Sequence, residues 1–215
     1  PDGYLALSDL TLAQGSPGEA EDYAKLALEI APRDPAVQIS LGNIYHALGD
    51  VERAESHFRE AISLDATRLD GYAALAEFYR VRELYAEAVV TYEEAIDLDP
   101  LDWSLWVSLG NLYAEQEEYD KALSAYEQAT EMNPTVPEPW LGRGDVYVAR
   151  KKWSAAEEAY EQAQRLRSNQ AEPLLRLATL YEERDKLGKA RNQAAKAVEA
   201  ERPTLDAAAV ASRCT

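Results

Sequence analysis

The sequence predicts an all-α fold, an α-solenoid of about six tandem helix–turn–helix repeats, and three observations carry that expectation. First, residue types recur every 34 positions with no slip in register. Ala20, Ala54, Ala88, Ala122, Ala156 and Ala190 form one column, and Ala27, Ala61, Ala95, Ala129, Ala163 and Ala197 form a second. Second, a small-residue column (Ser8, Gly42, Ala76, Gly110, Gly144, Ala178) runs beside a largely aromatic one (Thr11, Tyr45, Tyr79, Tyr113, Tyr147, Tyr181). Where antiparallel helices cross closely, only Gly, Ala or Ser lets the backbones approach, and a large residue one turn away fills the flanking space. Third, the apolar residues between the columns follow helical spacing, as in Leu41, Ile44, Tyr45 and Leu48, then Ala54, Phe58, Ala61 and Ile62. Strands are thereby excluded.

The period divides the chain into repeats at 1–34, 35–68, 69–102, 103–136, 137–170 and 171–204. In the first, Ser16-Pro17-Gly18-Glu19 has the spacing of a capping box with Pro at the first helical position, and Pro32 stops the second helix. Asp34-Pro35 caps and starts the second repeat, whose hairpin turn, Gly49-Asp50, pairs a helix-ending Gly with an N-cap Asp. Pro100 and Pro134 end the second helices of the third and fourth repeats. At Pro134-Thr135-Val136-Pro137-Glu138-Pro139, Pro134 ends one helix, Pro137 begins the next, and Pro139 still lies in a first turn, where its missing N–H costs little. Nearest-neighbour stacking needs no break there, so a single array over 1–204 is expected. The unit-ending Pro is absent at Ala66, Ser168 and Arg202, and the second-helix aromatic is lost at Ala24 and Ala194. The latter two fall in the outer repeats, where one face lacks a neighbour and weaker patterning is expected. Residues 205–215 are expected to begin a seventh first helix or to serve as a cap.

The order aromatic, Leu-Gly, Tyr, Ala, aromatic, Ala, Pro is met by Trp106, Leu109-Gly110, Tyr113, Ala122, Tyr126, Ala129 and Pro134. On these residues the sequence resembles the tetratricopeptide repeat family, over about 95% of the chain. The resemblance implies a right-handed solenoid whose first helices line a concave groove along which a partner peptide lies.

A chain of 215 residues with 47% hydrophobic and 28% charged residues can bury a substantial core. No run approaches the roughly 18 apolar residues of a membrane span, and Pro1-Asp2-Gly3-Tyr4 carries neither a basic nor an apolar leader region, so a soluble segment without direct membrane insertion is expected. Because the chain opens on Pro1 and not on Met, it is expected to be an excised or processed segment, and the sequence leaves its compartment undefined. The formal charge of −17 argues against nucleic acid and anionic lipid as partners. Cys214 stands alone, which excludes an intrachain disulfide and a cysteine-based zinc site.

No chemistry-bearing constellation emerges, and neither a catalytic residue, a metal site nor a cofactor is assigned. His46 and His57 fall on different helices of one repeat, at a spacing that matches no metal motif, and read as surface or half-buried helix residues. Gly142-Arg143-Gly144 lacks the preceding strand and the remaining glycines of a dinucleotide fingerprint. Glu93-Glu94, Glu117-Glu118 and Glu157-Glu158 read as solvated helix surface. Trp106, Trp140 and Trp153 occupy positions where the family has a large core residue, while Trp103 at a repeat start has no assigned place.

Carried over by position, the groove residues implied by the resemblance are an apolar stripe of Leu5, Ile39, Ala73, Val107, Leu141 and Leu175. Beside it run acids, Asp2, Asp70, Glu138 and Glu172 at one position and Asp9, Glu77 and Asp145 at another, with Asn43 and Asn111 in place of acids in two repeats. Such a surface complements a basic or amphipathic polypeptide segment, so the expected function is a non-catalytic scaffold or adaptor in assembly of a protein complex. The bland alternative is that these polar residues only keep an exposed helix soluble. Two further alternatives are a self-associating structural module and the targeting portion of a larger enzyme. The co-chaperone members of the family grip acidic heat-shock-protein C-terminal tails with a clamp of Lys, Asn, Asn, Lys and Arg. Here the only nearby basic groove residue is Arg176, so acidic tails are expected not to bind.

Overall fold

The computed structural model describes residues 1–167 and 170–211; Ser168 and Cys214 lie outside the described residues. The chain divides into two compact units, Pro1–Pro100 and Leu101–Thr215. The division falls between the third and fourth repeats and not at the proline-rich segment 134–139.

The first unit holds α1 (Asp2–Ala13), α2 (Pro17–Ile30), α3 (Pro35–Ala47), α4 (Val51–Leu64), α5 (Leu69–Val81) and α6 (Tyr85–Leu98). The second holds α7 (Trp103–Glu115), α8 (Tyr119–Met132), α9 (Glu138–Ala149), α10 (Trp153–Leu166), α11 (Ala171–Glu183) and α12 (Leu187–Ala211). Consecutive pairs form helical hairpins, and no strand occurs among the described residues. Within each unit, a second helix packs on the first helix of the next hairpin: α2 on α3, α4 on α5, α8 on α9, α10 on α11. First helices also touch across hairpins, α1 with α3, α3 with α5 and α7 with α9, so they form one layer of the unit. The architecture is an all-α solenoid.

The turn between the helices of each hairpin has one geometry, repeated six times. Gly15, Gly49, Glu83, Glu117, Lys151 and Asp185 all have positive φ, between 55° and 79°. At Gly49 the residue donates its N–H to the His46 carbonyl, and Asp50 donates to that of Tyr45, the paired bonds of a Schellman motif that satisfy the carbonyls left over at a helix end. The same pair recurs at Lys151 to Val148 and Lys152 to Tyr147. Only the first two turns use glycine; the other four place a side chain in the left-handed region, where Cβ crowds the following carbonyl. Replacing Lys151 by Gly is therefore expected to stabilise the protein by about 0.5–1 kcal/mol, the relief of strain exceeding the added freedom of the unfolded chain. Urea unfolding that shows no gain would mean the turn tolerates lysine without strain.

Caps agree with the sequence at two of the three predicted sites. Asp34 accepts from the Ala36 N–H at 2.9 Å with Pro35 at the first helical position, and Asp50 accepts from the Arg53 N–H at 3.0 Å. Ser16 occupies the N-cap of α2, but its side chain makes no capping bond, so the expected capping box does not form. Residues 205–211 continue α12, which runs unbroken for 25 residues, and do not open a separate helix. Arg202 stands where Pro32, Pro100 and Pro134 follow the earlier second helices, and Pro203, one position late, falls inside this one.

Both alanine columns are buried, none of their members being more than 2% exposed. In three hairpins the small column carries glycine against a large second-helix ring, while the third hairpin carries Ala76 opposite Tyr92. A Cβ added to Gly42 would fall 2.6 Å from the Phe58 ring, at Gly110 2.6 Å from Tyr126, and at Gly144 2.2 Å from Tyr160. Where the facing residue is alanine, at Ala24 and Ala194, the column carries Ser8 and Ala178 instead. The Ser8 hydroxyl also donates to the Ala20 carbonyl at 3.0 Å, which pins the first helix to the second.

Candidate functional site

In the first unit, the layer of first helices forms a concavity of about 220 Å³. Its lining is Leu5 and Asp9 from α1, Ala36, Ile39, Ser40 and Asn43 from α3, and Asp70 from α5. Residues 36, 39, 40 and 43 share one helical face, and residues 5 and 9 meet them one turn apart on the neighbouring helix. Leu5 and Ile39 are half-buried and make an apolar floor, while Asp9, Asn43 and Asp70 are exposed at its rim. The structure thus brings together five of the predicted groove residues, Leu5, Asp9, Ile39, Asn43 and Asp70. On α5, Ala73 is half-buried and Glu77 exposed. The acids are not equivalent. Asp70 accepts from the Arg68 guanidinium, with Nε at 3.1 Å, and Glu77 is paired with Arg80 at 2.7 Å. Asp9 has no cation partner among the described residues.

The second unit treats the corresponding positions differently. Asn111 accepts a hydrogen bond from the Tyr126 hydroxyl at 2.7 Å, and Asp145 accepts one from Tyr160 at 2.6 Å. Asp145 also binds the Arg176 guanidinium, whose other terminal nitrogen reaches Glu172 at 3.1 Å. Arg176 therefore does not stand alone as a groove cation; it ties α9 to α11 through Asp145. Leu141 is only 7% exposed and belongs to a core cluster with Ala156, Tyr160, Ala163 and Leu177, so it is withdrawn from the apolar stripe. Val107 is half-buried and Leu175 is 49% exposed. Glu138, at the start of α9, is exposed and has no cation partner among the described residues. Asp145, Glu172, Leu175 and Arg176 line a cavity of about 450 Å³ together with Val148 and Leu180.

Burial shifts the tyrosines of this framework. Desolvation, and then the neighbouring Asp145, push the Tyr160 phenol well above its ordinary range, and desolvation leads the same rise at Tyr126. Both stay neutral and able to donate at any physiological pH.

A set of contacts between hairpins was not foreseen from the sequence. Tyr45 donates to Glu21 at 2.8 Å, Tyr79 to Glu55 at 2.8 Å and Tyr181 to Glu157 at 2.7 Å, each acid lying 24 residues earlier on the second helix of the preceding hairpin. Burial and Glu55 push Tyr79 up to about 12, and the Tyr79 hydroxyl in turn holds the Glu55 carboxyl below its usual range. A Glu 24 residues before a column tyrosine is the signal that would have found these locks; it is missing where Val89 and Leu123 occupy that position.

The remaining candidates fall into packing roles. His57 Nδ1 lies 2.7 Å from Gln38 Oε1, its ring stacks on Tyr45, and burial lowers its pKa; His46 meets Phe78 edge-on. Trp140 and Trp153 pack against the core cluster, and Trp103 is the half-buried first residue of α7. No group of three or more His, Cys, Asp or Glu residues that could hold a metal ion occurs among the described residues.

A family model described as the C-terminal domain of cilia and flagella-associated protein 70 matches residues 66–173. Two models described as tetratricopeptide repeat match residues 11–78 and 141–206. Among solved structures, the chain is similar to Pseudomonas aeruginosa PilF, with 21% identity over 94% of this chain and 90% of that one and a TM-score of 0.67. It is similar to TTC0263, a thermophilic TPR protein of Thermus thermophilus, with 23% identity over 83% of this chain and 97% of that one and a TM-score of 0.65. YrrB, a TPR protein with an unusual peptide-binding site, shares 21% identity over 83% and 92% of the two chains, with a TM-score of 0.54. No curated protein matches. At these identities the likeness is one of fold, and it agrees with the repeat models and the six hairpins: the chain belongs to the tetratricopeptide repeat family.

Proposed function

We propose that this chain is a non-catalytic adaptor that holds a basic or amphipathic polypeptide segment against its first-helix layer, in the assembly of a protein complex. The observation that carries the reading is the concavity of the first unit, where the apolar floor of Leu5 and Ile39 is edged by Asp9, a carboxylate with no cation partner among the described residues. A ligand's aliphatic side chain covers the floor, its Lys or Arg pairs with Asp9, and Asn43 offers both a donor and an acceptor to its backbone. Asp70 contributes less, because Arg68 already neutralises it. In the second unit, Glu138 and Leu175 offer a second acid and a second apolar contact, whereas Asp145 and Asn111 are engaged in holding the hairpins. The chain's charge of −17 favours encounter with a basic segment and opposes acidic tails, nucleic acid and anionic membranes.

A fluorescent peptide alternating Leu and Lys tests the proposal. It is expected to bind at low salt, to weaken as salt rises, and to bind Asp9→Lys/Asp70→Lys at least about tenfold more weakly, a difference of about 1.4 kcal/mol. Both positions are exposed, so the variant keeps its helical circular dichroism. Equal affinity of the variant, or equal binding of a peptide with Glu in place of Lys, would remove the acidic-rim reading.

A further inference from the structure

The column just before the small residues holds leucine in every hairpin but the fifth: Leu7, Leu41, Leu75, Leu109 and Leu177, with Arg143 in the remaining place. Inside the array this is a core position, Leu41, Leu75, Leu109 and Leu177 all being 5% exposed or less. Arg143 is half-buried there, and its Nε is shut off from solvent without a hydrogen-bond partner. Its terminal nitrogens have neither hydrogen bond nor ion pair among the described residues. The Trp140 ring, 4.6 Å from the guanidinium carbon, covers one face. The other half-buried arginines are all matched by acids: Arg80 with Glu77, Arg150 with Asp120, Arg176 with Asp145 and Arg184 with Glu157. A guanidinium does not shed its proton, so at Arg143 the charge stays, partly drawn out of water, and the missing carboxylate costs free energy.

Leu75 shows where this column opens to the outside. With Arg59 of α4 and Ala86, Val90 and Glu94 of α6, it lines a concavity of about 300 Å³ between successive second helices. The same register sets Arg143 between α8 and α10, with Glu127 and Glu158 as the counterparts of Arg59 and Val90. Both acids are exposed, and neither pairs with the arginine. A free small anion approaching Arg143 meets repulsion from these two carboxylates. A carboxylate carried between lysines does not, because its lysines face Glu127 and Glu158 while it faces the guanidinium. Partial burial makes that guanidinium–carboxylate pair stronger than an exposed one.

We propose that Arg143 anchors a second docking surface, on the second helices of the second unit, which receives an Asp or Glu side chain of a partner polypeptide whose neighbouring turns carry Lys or Arg. This surface is separate from the first-helix concavity of the first unit, so either can fail without the other. A fluorescent alanine-based helical peptide with one Glu and a Lys one turn to either side tests it. The variant is Arg143→Leu, which installs the residue of the other five hairpins and is expected to keep the urea midpoint or raise it. Wild type is expected to bind this peptide at least about tenfold more tightly than the same peptide with Gln in place of Glu, and Arg143→Leu to bind both alike. Asp9→Lys/Asp70→Lys is expected to discriminate as wild type does. Failure of wild type to prefer the Glu peptide, or an undiminished preference in Arg143→Leu, overturns the proposal. So does a lower urea midpoint for Arg143→Leu, which would make the arginine a packing residue, or a preference lost in Asp9→Lys/Asp70→Lys, which would place the peptide in the first-helix concavity.

Discussion

Replacing Tyr126 by alanine is expected to lower the unfolding free energy by about 3–5 kcal/mol, the loss typical of a large buried aromatic. The ring is 1% exposed and lies between two glycines, Gly110 of its own hairpin and Gly142 of the next. A Cβ on either glycine would sit 2.6 Å or 2.4 Å from that ring, so the backbones of α7 and α9 both lie at contact distance from it. Once the ring is gone, neither glycine has a side chain to collapse into the hole, which places the cost toward the upper end of the range. Tyr126→Phe loses only the hydroxyl bond to Asn111, about 1 kcal/mol, because Asn111 is exposed and regains water. Repeat arrays are stabilised by nearest-neighbour interfaces, so hydrogen exchange should report the loss first in α8 and α9 and leave the first unit protected. A loss below about 1 kcal/mol for the alanine variant would show that the cradle is not what joins these hairpins.

Gly144→Ala should destabilise although it improves helix propensity. Alanine gains about 1 kcal/mol over glycine in a helix interior. Against that, the new Cβ would lie 2.2, 2.4 and 2.8 Å from three atoms of the Tyr160 ring. The ring is 3% exposed and its hydroxyl is held by Asp145, so it has little room to swing away. Overpacking of this kind costs about 1–3 kcal/mol, and with the ring held in place a net loss of up to about 2 kcal/mol is expected in urea unfolding. The chain suggests the control, since it pairs Ala178 with Ala194 in the last hairpin. In a Gly144→Ala/Tyr160→Ala double variant, the added methyl should be neutral or stabilising relative to Tyr160→Ala alone, a coupling of about 1–3 kcal/mol. Simple additivity would mean that Cβ and ring do not meet.

The hairpins and their order were legible in the sequence because their cause is local or strictly periodic. A side chain that must be small or large at one crossing must be so again one repeat later, which is why the alanine and small-residue columns could be read without coordinates. The strained turn residues Glu83, Glu117, Lys151 and Asp185 were hidden because none is glycine, and only their φ values show that they do the work of Gly15 and Gly49. The groove positions came from the family resemblance applied along the repeat register, which carries position and not state; in the structure Leu5, Asp9, Ile39, Asn43 and Asp70 line one concavity, whose use as a binding site is the proposal above.

What the sequence determined by itself is the repeat: its length, its two helices and its buried columns. The tertiary structure decided which polar groups on the first helices remain free to meet a partner. Asp145 and Arg176 lie on different helices, as do Asn111 and Tyr126, and each pair meets only because hairpin packing brings the helices together. A carboxylate's availability depends on the cation or hydroxyl across the helix interface, a distance in space that periodicity along the chain does not encode.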